Sequence, residues 1–451
     1  MVALLQCGAT RLIDSPLVSP PTIDSINSVS DAIDVSRRIY SVPEIGADEA
    51  AALTRIDNLR RQLRFYVAER RRWLGPVRKV LAARAIQGSN SIEGYDVSVE
   101  DAVAALEGDE PGFGAADESQ RAVAAYRRAM TYVLQLANDE HFSYSPALLR
   151  SLHFMMTEYD LDASPGLWRP GPIWVRSDET GDVVYEGPES GLVPGLIDSL
   201  IDQLGRGSGN SAMVRGAMAH LNLLMIHPFR DGNGRMARCL QTLVLAREGI
   251  LVPEFISIEE YLGRNTQSYY KILAEVGTGA WHPQHDARPW VRYCLRAHYV
   301  QAASVLRRVR ESETIWGFLE ERVHAAGLPE RTVEALFDAT LGLRVRNATY
   351  RSAVGRGWAE ISNQTATTDL RHMVAAGLLT KHGAKRGTYY RGSERLIEFR
   401  AQLRQERAPL EVDSLFEPTT EPAPTLFPSP MTSPKGGRSG PPTIRPPTSH
   451  A

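Results

Sequence analysis

The sequence contains few cysteines, no long apolar run and no excess of either charge. Its three cysteines, Cys7, Cys239 and Cys294, are odd in number and widely spaced, which argues against a disulfide framework or a cysteine metal site. No stretch approaches the roughly 20 apolar residues of a membrane-spanning helix, and the N-terminus lacks the charged leader of a signal peptide. Lys and Arg number 51 against 53 Asp and Glu, so overall charge favours neither nucleic acid nor membrane. These absences predict a cytoplasmic protein without a membrane partner.

What is present is a mainly helical pattern, in which apolar residues recur every three or four positions. The chain of 451 residues predicts two or more domains at roughly 100–200 residues each. Two apolar runs at 168–176 and 183–185 flank a polar turn and predict one β-hairpin. The predicted divisions are a poorly ordered N-terminus at 1–45, N-terminal helices at 46–118, a helical core at 119–300, a winged helix-turn-helix at 301–405 and a disordered Pro/Ser-rich tail at 406–451.

The winged helix-turn-helix is predicted from the order of short elements after Ile361. A helix is followed by Gly377 and a strand, then by a basic turn at 381–387 and a second strand at 388–390. Residues 341–395 carry ten Lys and Arg against three Asp and Glu, a local excess in a nearly neutral chain. A basic unit of this kind suits duplex DNA. A role in forming a homodimer or in docking another protein fits the same elements.

The first sign of chemistry is at the end of a helix predicted over 212–226, where His227 precedes Pro228. Proline cannot continue a helix, because it has no N–H and restricts the residue before it. The chain must therefore leave the helix directly after His227. The ordinary pKa of the imidazole, about 6.5, suits a general base at neutral pH.

The next residues, 231–234, read Asp-Gly-Asn-Gly and precede a new helix. Such a stretch can turn successive backbone N–H groups toward one anion at the positive end of that helix. Arg235 and Arg238 share a helix face and suit a polyphosphate, and Asp231 offers a hard oxygen ligand for Mg²⁺. A plain helix–turn–helix corner explains the Pro, Asp, Asn and Gly. It does not require a base, a carboxylate and two arginines at fixed offsets.

Residues 227–238, HPFRDGNGRMAR, match the signature of Fic-domain proteins, His-x-Phe-x-Asp/Glu-Gly-Asn-Gly/Lys-Arg-x-x-Arg, and the chain resembles that family. The resemblance implies a helical bundle with a β-hairpin flap. It also implies transfer of AMP from ATP to a Ser, Thr or Tyr hydroxyl of a target protein or of the chain itself. The implied roles are His227 as general base, Asp231 as Mg²⁺ ligand, Gly232, Asn233 and Gly234 as the cradle of the transferred phosphate, and Arg235 and Arg238 as ligands of the β and γ phosphates.

The resemblance extends to the surroundings of the signature. The hairpin at 168–185 would align an extended target segment by strand addition. Tyr269 and Tyr270 occupy the region where relatives line the adenine pocket, although aromatic residues on a helix fit a core position equally well. Gly234 favours AMP transfer, because members of the family that phosphorylate their targets carry Lys at this position and Ala before it.

Upstream, Ser89-Asn-Ser-Ile-Glu93-Gly94 lies at the end of the second predicted helix. Read alone, it is a final helical turn followed by a glycine cap. Beside a Fic signature it resembles the inhibitory motif Ser/Thr-x-x-x-Glu-Gly/Asn of that family. There the Glu pairs with the second arginine, here Arg238, and prevents productive binding of ATP. In some relatives the same Glu helps to remove the modification, and the sequence is compatible with this activity too.

Two functions from different classes fit these features. The first is an autoinhibited protein adenylyltransferase that uses ATP and Mg²⁺. The second is a DNA-binding transcriptional regulator whose Fic core senses nucleotide. The complete signature favours the first, since a protein that only senses nucleotide has no need to keep the base at His227.

Overall fold

The structure, a computed structural model, describes residues 37–106, 118–177, 180–206, 209–249, 253–357, 359–405, 407 and 410–417. The disorder predicted for 1–36 and for the tail beyond 417 lies outside the described residues, as does part of the hairpin turn at 178–179. Residues 37–45 contain no α-helix or strand. Tyr40 among them is buried, and its backbone exchanges two hydrogen bonds with the Asn222 side chain, of 2.8 and 3.0 Å.

Helices dominate the described residues, so the prediction of a mainly helical fold is confirmed. None of these described helices is both long and apolar enough to cross a membrane. The first eleven are α1 (Ala47–Ala68), α2 (Leu74–Ile92), α3 (Val99–Leu106), α4 (Glu118–Leu136), α5 (Pro146–Thr157), α6 (Val193–Gly205), α7 (Ala212–Ile226), α8 (Asn233–Ala246), α9 (Glu259–Arg264), α10 (Thr266–Gly277) and α11 (Arg288–Ala325).

Helices α7 and α8 form the centre of the bundle and are joined by the short loop 227–232. The spacing of Val214, Met218, Leu221 and Met225 predicts one buried face for α7. The structure buries almost all of this helix, because α6, α8 and α11 all pack against it. Helix α8 is buried along its length as well, in contact with α7, α4 and α5. The loop that carries His227 is therefore anchored at both ends in the core.

The predicted β-hairpin is present, formed by β1 (Trp174–Arg176) and β2 (Val183–Glu186) in antiparallel pairing. Its strands are shorter than the apolar runs suggested, because Trp168 packs on Phe229 instead of extending β1. The hairpin leans on the bundle through Tyr185, which is buried and donates a hydrogen bond of 2.7 Å to the carbonyl oxygen of Met225. Its second strand thus lies next to the last turn of α7.

Helix α2 ends at the upstream motif, as the sequence predicts. Glu93 is the C-terminal capping residue, and Gly94 has a φ of +84°, a left-handed conformation that favours glycine. The helix packs against α9, α3 and α4, and its last turn also approaches α8. These contacts place the end of α2 next to the start of α8.

The sequence predicts a domain boundary at position 300. In the structure α11 runs through this position without a break, from Arg288 to Ala325. The helix and the two strands predicted after Ile361 are present, and β3 and β4 pair antiparallel. A further bridge joins Val345 to Tyr390 in β4. The elements after α11 are α12 (Val333–Thr340), α13 (Asn347–Gly357), α14 (Asn363–Ala375), β3 (Leu379–His382), β4 (Tyr389–Gly392) and α15 (Glu394–Gln405).

Candidate active site

His227 leaves α7 in a left-handed conformation, with a φ of +52° that is uncommon for a residue other than glycine. Its backbone N–H still donates to the carbonyl oxygen of Leu223 at 3.0 Å, and Pro228 then carries the chain away from the helix. Nδ1 lies 3.1 Å from the carbonyl oxygen of Leu224. Because a carbonyl only accepts, Nδ1 carries the proton and Nε2 keeps its lone pair.

The environment of His227 keeps this imidazole uncharged. Only 5% of the residue is exposed, and burial lowers its pKa to about 4. A neutral imidazole with its lone pair on Nε2 is the form that accepts a proton from a hydroxyl group. His227 is therefore in a protonation state that can accept a proton at Nε2.

The loop between α7 and α8 is closed by Asn233. Its side chain accepts a hydrogen bond from the backbone N–H of Phe229 and donates one to the Phe229 carbonyl, both of 2.9 Å. Gly232 precedes α8 with a φ of +74°, and the first hydrogen bond of the helix runs from Met236 N–H to its carbonyl. The N–H groups at the start of α8 come before this bond, and such groups bind phosphate oxygens.

Arg238 is buried in α8 and is held by the end of α2. Its Nε donates to Oγ of Ser89 at 2.7 Å, and its Nη2 donates to the Ser89 carbonyl at 3.0 Å and to Oε1 of Glu93 at 2.6 Å. Only 1% of the Arg238 side chain and 17% of the Glu93 side chain are exposed. The expected contact between Glu93 and Arg238 is therefore present, and Ser89 takes part in it.

Gly234 lies directly against the carboxylate of Glu93. A Cβ atom added to Gly234 would lie far inside the contact distance of Oε1 of Glu93 and 3.1 Å from Nη1 of Arg238. The family resemblance implies a different reason for this glycine, the choice between AMP transfer and phosphorylation. The structure adds that a side chain here would push the Glu93 carboxylate away from Arg238.

Arg235, the first arginine of the signature, lies between two tyrosines. Its Nη1 donates to the hydroxyl of Tyr159 at 3.1 Å, and its guanidinium carbon is 5.3 Å from the ring centre of Tyr95. The two tyrosine hydroxyls are 2.9 Å apart. Tyr95 follows Gly94 directly, so the segment after α2 contacts Arg235 as well as Arg238. Sequence reasoning missed both tyrosines, which carry no spacing signal.

Asp231 is the acidic residue within the loop that joins α7 to α8. Its Oδ2 is 3.7 Å from Nη2 of Arg235, and 32% of its side chain is exposed. Burial raises the pKa of this carboxyl, and Arg235 opposes that shift. No group of three His, Cys, Asp or Glu side chains suited to a metal occurs in the described residues. A single carboxylate fits Mg²⁺, which takes its other ligands from water and substrate phosphates.

Tyr269 and Tyr270 line the same pocket as His227 and Arg238, but they differ in burial. Tyr269 is buried, and its hydroxyl lies 2.9 Å from Nε2 of His220 in the core. Tyr270 is half-buried and donates to the carbonyl oxygen of Ile92 at 3.1 Å. Their proposed contact with adenine stays a prediction.

The cavity that these residues line has a volume of about 110 Å³, with Glu93 in its wall. This volume is below the roughly 300–1,000 Å³ usual for ligand pockets.

Arg169 joins the hairpin to the loop, and sequence reasoning missed it. Its Nε donates to the carbonyl of His227 at 2.8 Å, and its Nη1 donates to the carbonyl of Gly171 at 2.6 Å. Its Nη2 donates to the carbonyl of Pro188, beyond the other end of the hairpin. One buried guanidinium therefore ties both ends of the hairpin to the carbonyl of the candidate base. The run Trp168-Arg169-Pro170 gave no signal that the arginine would turn inward.

Comparison with known proteins finds a family match for the part of the chain that contains His153, Arg169 and residues 227–238. Residues 143–245 match the model of the Fic/DOC family. Two relatives, each named protein adenylyltransferase fic-1, come from Caenorhabditis briggsae and Caenorhabditis elegans. The first is 31% identical over 140 residues, which are 30% of this chain and 25% of the relative. The second is 39% identical over 82 residues, which are 18% and 14%. The chain thus spans a quarter or less of the length of these relatives.

Similar solved structures include a Fic family protein from Desulfovibrio desulfuricans G20. It is 20% identical, with a TM-score of 0.49, and the match covers 78% of this chain and 98% of that one. A second is a fragment of Fic-1 from Caenorhabditis elegans, 22% identical with a TM-score of 0.45, covering 59% of this chain and 73% of that one.

Proposed function

Because residues 143–245 match the model of the Fic/DOC family, we propose that this chain is an autoinhibited protein adenylyltransferase. It transfers AMP from ATP to a Ser, Thr or Tyr hydroxyl of a target protein or of itself. The observation that carries this proposal is the buried, neutral His227 beside the N-terminus of α8, with two arginines on the same helix. The relatives named protein adenylyltransferase agree with this activity.

In the proposed reaction, Nε2 of His227 takes the proton of the target hydroxyl. The hydroxyl oxygen attacks the α-phosphorus of ATP, the bond between the α and β phosphates breaks, and pyrophosphate leaves. The N–H groups at the start of α8 bind the transferred phosphate, and Arg235 and Arg238 bind the β and γ phosphates. Asp231 would hold Mg²⁺, which when bound offsets the negative charge of the phosphates. The hairpin would align the target segment by strand addition.

Autoinhibition in this proposal is competition for Arg238. The Glu93 carboxylate and the γ phosphate are both anions that bind a guanidinium, and only one can occupy the same fork. In the present conformation Glu93 holds Nη2 of Arg238 at 2.6 Å. Release of Glu93 would therefore precede productive binding of ATP. Removal of AMP from a modified target is a second activity included in this proposal, with Glu93 as the residue on which it depends.

The proposal is tested by following two labels of ATP in the chain carrying Glu93→Gly. With Mg²⁺ present, we expect label from the α phosphate to enter protein and label from the γ phosphate to stay in solution, because pyrophosphate leaves. Chelation of Mg²⁺ should abolish incorporation. The label in each protein band is measured after electrophoresis, and cell lysate is added as a source of target proteins. Incorporation of γ label would show phosphotransfer instead, and incorporation of neither label would contradict an adenylyltransferase.

A second candidate function, nucleic-acid binding, is favoured by a basic groove on the C-terminal elements. We propose that α12–α14 with β3 and β4 form a winged helix that binds duplex DNA. None of the described residues that line the groove is acidic. Asp369, the one acid of α14, is buried and accepts hydrogen bonds from Arg331 and Tyr350. The polar and basic residues of the groove are Arg346, Asn347, Arg351, Asn363, Thr367, Arg371, Lys381, Lys385, Thr388 and Tyr390.

We expect the double variant Arg371→Ala with Lys381→Ala to bind a DNA duplex more weakly than the parent chain. The slope of log affinity against log salt is negative, and each lost phosphate contact reduces its magnitude by about 1, so the magnitude should fall by about 2. Gel shifts at several salt concentrations measure it. The matched control is Arg206→Ala, an exposed arginine at the end of α6. An unchanged slope, or no binding by the parent chain, would exclude DNA binding at this groove.

A further inference from the structure

We infer that His153 is a positioning residue that sets the orientation of the Asp231–Gly232 peptide and thereby of the Asp231 carboxylate. His153 lies on α5, outside the signature at 227–238, and its side chain is fully buried. The inference rests on the proposed function, because it concerns the carboxylate that would hold Mg²⁺. Three contacts of the imidazole carry it.

The first two contacts determine which nitrogen of His153 carries the proton. The backbone N–H of Gly166 donates to Nδ1 at 2.9 Å, so Nδ1 has no proton. The proton is therefore on Nε2, which lies 2.9 Å from the carbonyl oxygen of Asp231 and donates to it. Burial lowers the pKa of His153 to about 4, which agrees with a neutral ring. The imidazole thus bridges the loop before β1 and the loop before α8.

The bond to the Asp231 carbonyl also fixes the next N–H group. No described peptide bond is cis, and in a planar trans peptide the C=O and N–H groups point in opposite directions. Holding the Asp231 carbonyl toward α5 therefore turns the Gly232 N–H the other way. The same bond fixes the backbone of Asp231, whose carboxylate Oδ2 lies 3.7 Å from Nη2 of Arg235. His153 thus selects the peptide orientation from which the Asp231 side chain projects.

The third contact holds the ring itself in place. The His153 ring stacks on the ring of Phe229, with centres 3.7 Å apart and planes only 3° from parallel. A Cβ atom added to Gly232 would lie 3.1 Å from Cγ2 of Thr157, so α5 also limits the loop at this residue. An apolar side chain at 153 would fill the same volume. It would leave the Asp231 carbonyl and the Gly166 N–H without their partners.

The test compares two substitutions in the full chain carrying Glu93→Gly. His153→Leu keeps the volume and loses both hydrogen bonds, whereas His153→Gln places an amide where Nε2 donates. Mn²⁺ affinity is measured by electron paramagnetic resonance with a non-hydrolysable ATP analogue, and the Mg²⁺ dependence of AMP transfer is measured in parallel. We expect His153→Leu to weaken metal affinity about 10–100-fold and His153→Gln to recover most of it. Equal losses in both variants, or metal affinity unchanged in His153→Leu, would overturn the inference.

Two further measurements keep the outcomes separate. Asp231→Asn should remove Mn²⁺ binding; if it does not, the proposed metal role of Asp231 fails, whatever His153 does. If Asp231→Asn loses the metal and a folded His153→Leu keeps it, only the positioning role fails. The protonated nitrogen of the His153 ring can also be identified by nitrogen NMR on the chain that keeps His153, so this measurement does not depend on whether a variant folds. We expect the proton of the His153 ring on Nε2, and a proton on Nδ1 would contradict the inference.

Discussion

Replacing Glu93 by glycine is expected to raise the initial rate of AMP incorporation by about 10–100-fold, within the usual range of coupling between two sites. The reason is the contact of 2.6 Å between Oε1 of Glu93 and Nη2 of Arg238, on an arginine that is 1% exposed. Without the carboxylate, the guanidinium is available to the γ phosphate. The rate is measured as α label of ATP entering the chain or a target per unit time.

The change at Glu93 should also alter stability in a characteristic way. Arg238 then keeps a buried charge without its carboxylate, which lowers the Tm in the absence of nucleotide. ATP with Mg²⁺ should restore part of this loss, because it binds only the folded chain. The matched control is Glu140→Gly, an exposed acid far from the loop in sequence, with rates within about twofold of the parent. A Glu93→Gly chain with unchanged activity would contradict autoinhibition through Arg238.

Replacing His227 by alanine in the Glu93→Gly chain is expected to lower AMP transfer by about 10²–10⁴-fold, the usual contribution of a general base. The imidazole is neutral, with its proton on Nδ1 and its lone pair on Nε2, so the variant removes the proton acceptor. Binding of ATP should persist, because the arginines and the N-terminus of α8 are unchanged. Single-turnover transfer and equilibrium nucleotide binding are measured on the same preparation.

The outcome at His227 separates the two candidate functions. His141→Ala is the matched control, since His141 is exposed in the turn after α4, and its rates should equal those of the parent. Nucleotide binding with no transfer in the Glu93→Gly chain itself would favour a regulator that senses nucleotide. If His227→Ala transfers AMP at the parent rate, His227 is not the general base of the reaction.

The ends of the helices around the site could be predicted from sequence because each depends on a few neighbouring residues. Pro228 ends α7, and Gly94 follows the last turn of α2 with a φ of +84°. The hairpin was predictable in the same way, from two apolar runs and a polar turn. The burial of α7 on nearly all sides was not, since periodicity does not report how many helices will surround one segment.

The candidate chemistry proposed for residues 227–238 could be inferred from the sequence itself. A base at a forced chain exit, a glycine-rich turn and two arginines on one helix face are local relations, set by backbone geometry and side-chain type. The contact of Glu93 with Arg238, 145 residues away, was expected only from resemblance to a family. No local rule brings the end of α2 to the start of α8.

Only the tertiary structure decided which other residues support that chemistry. Arg169 reaches the carbonyl of His227, Tyr95 covers Arg235, and His153 reaches the carbonyl of Asp231 across 78 residues. Each is an ordinary residue type at an ordinary spacing, and its role depends on the helices and loops that pack around it. Packing sets these distances through contacts between segments far apart in the chain. The spacing of residues along the sequence does not predict such contacts.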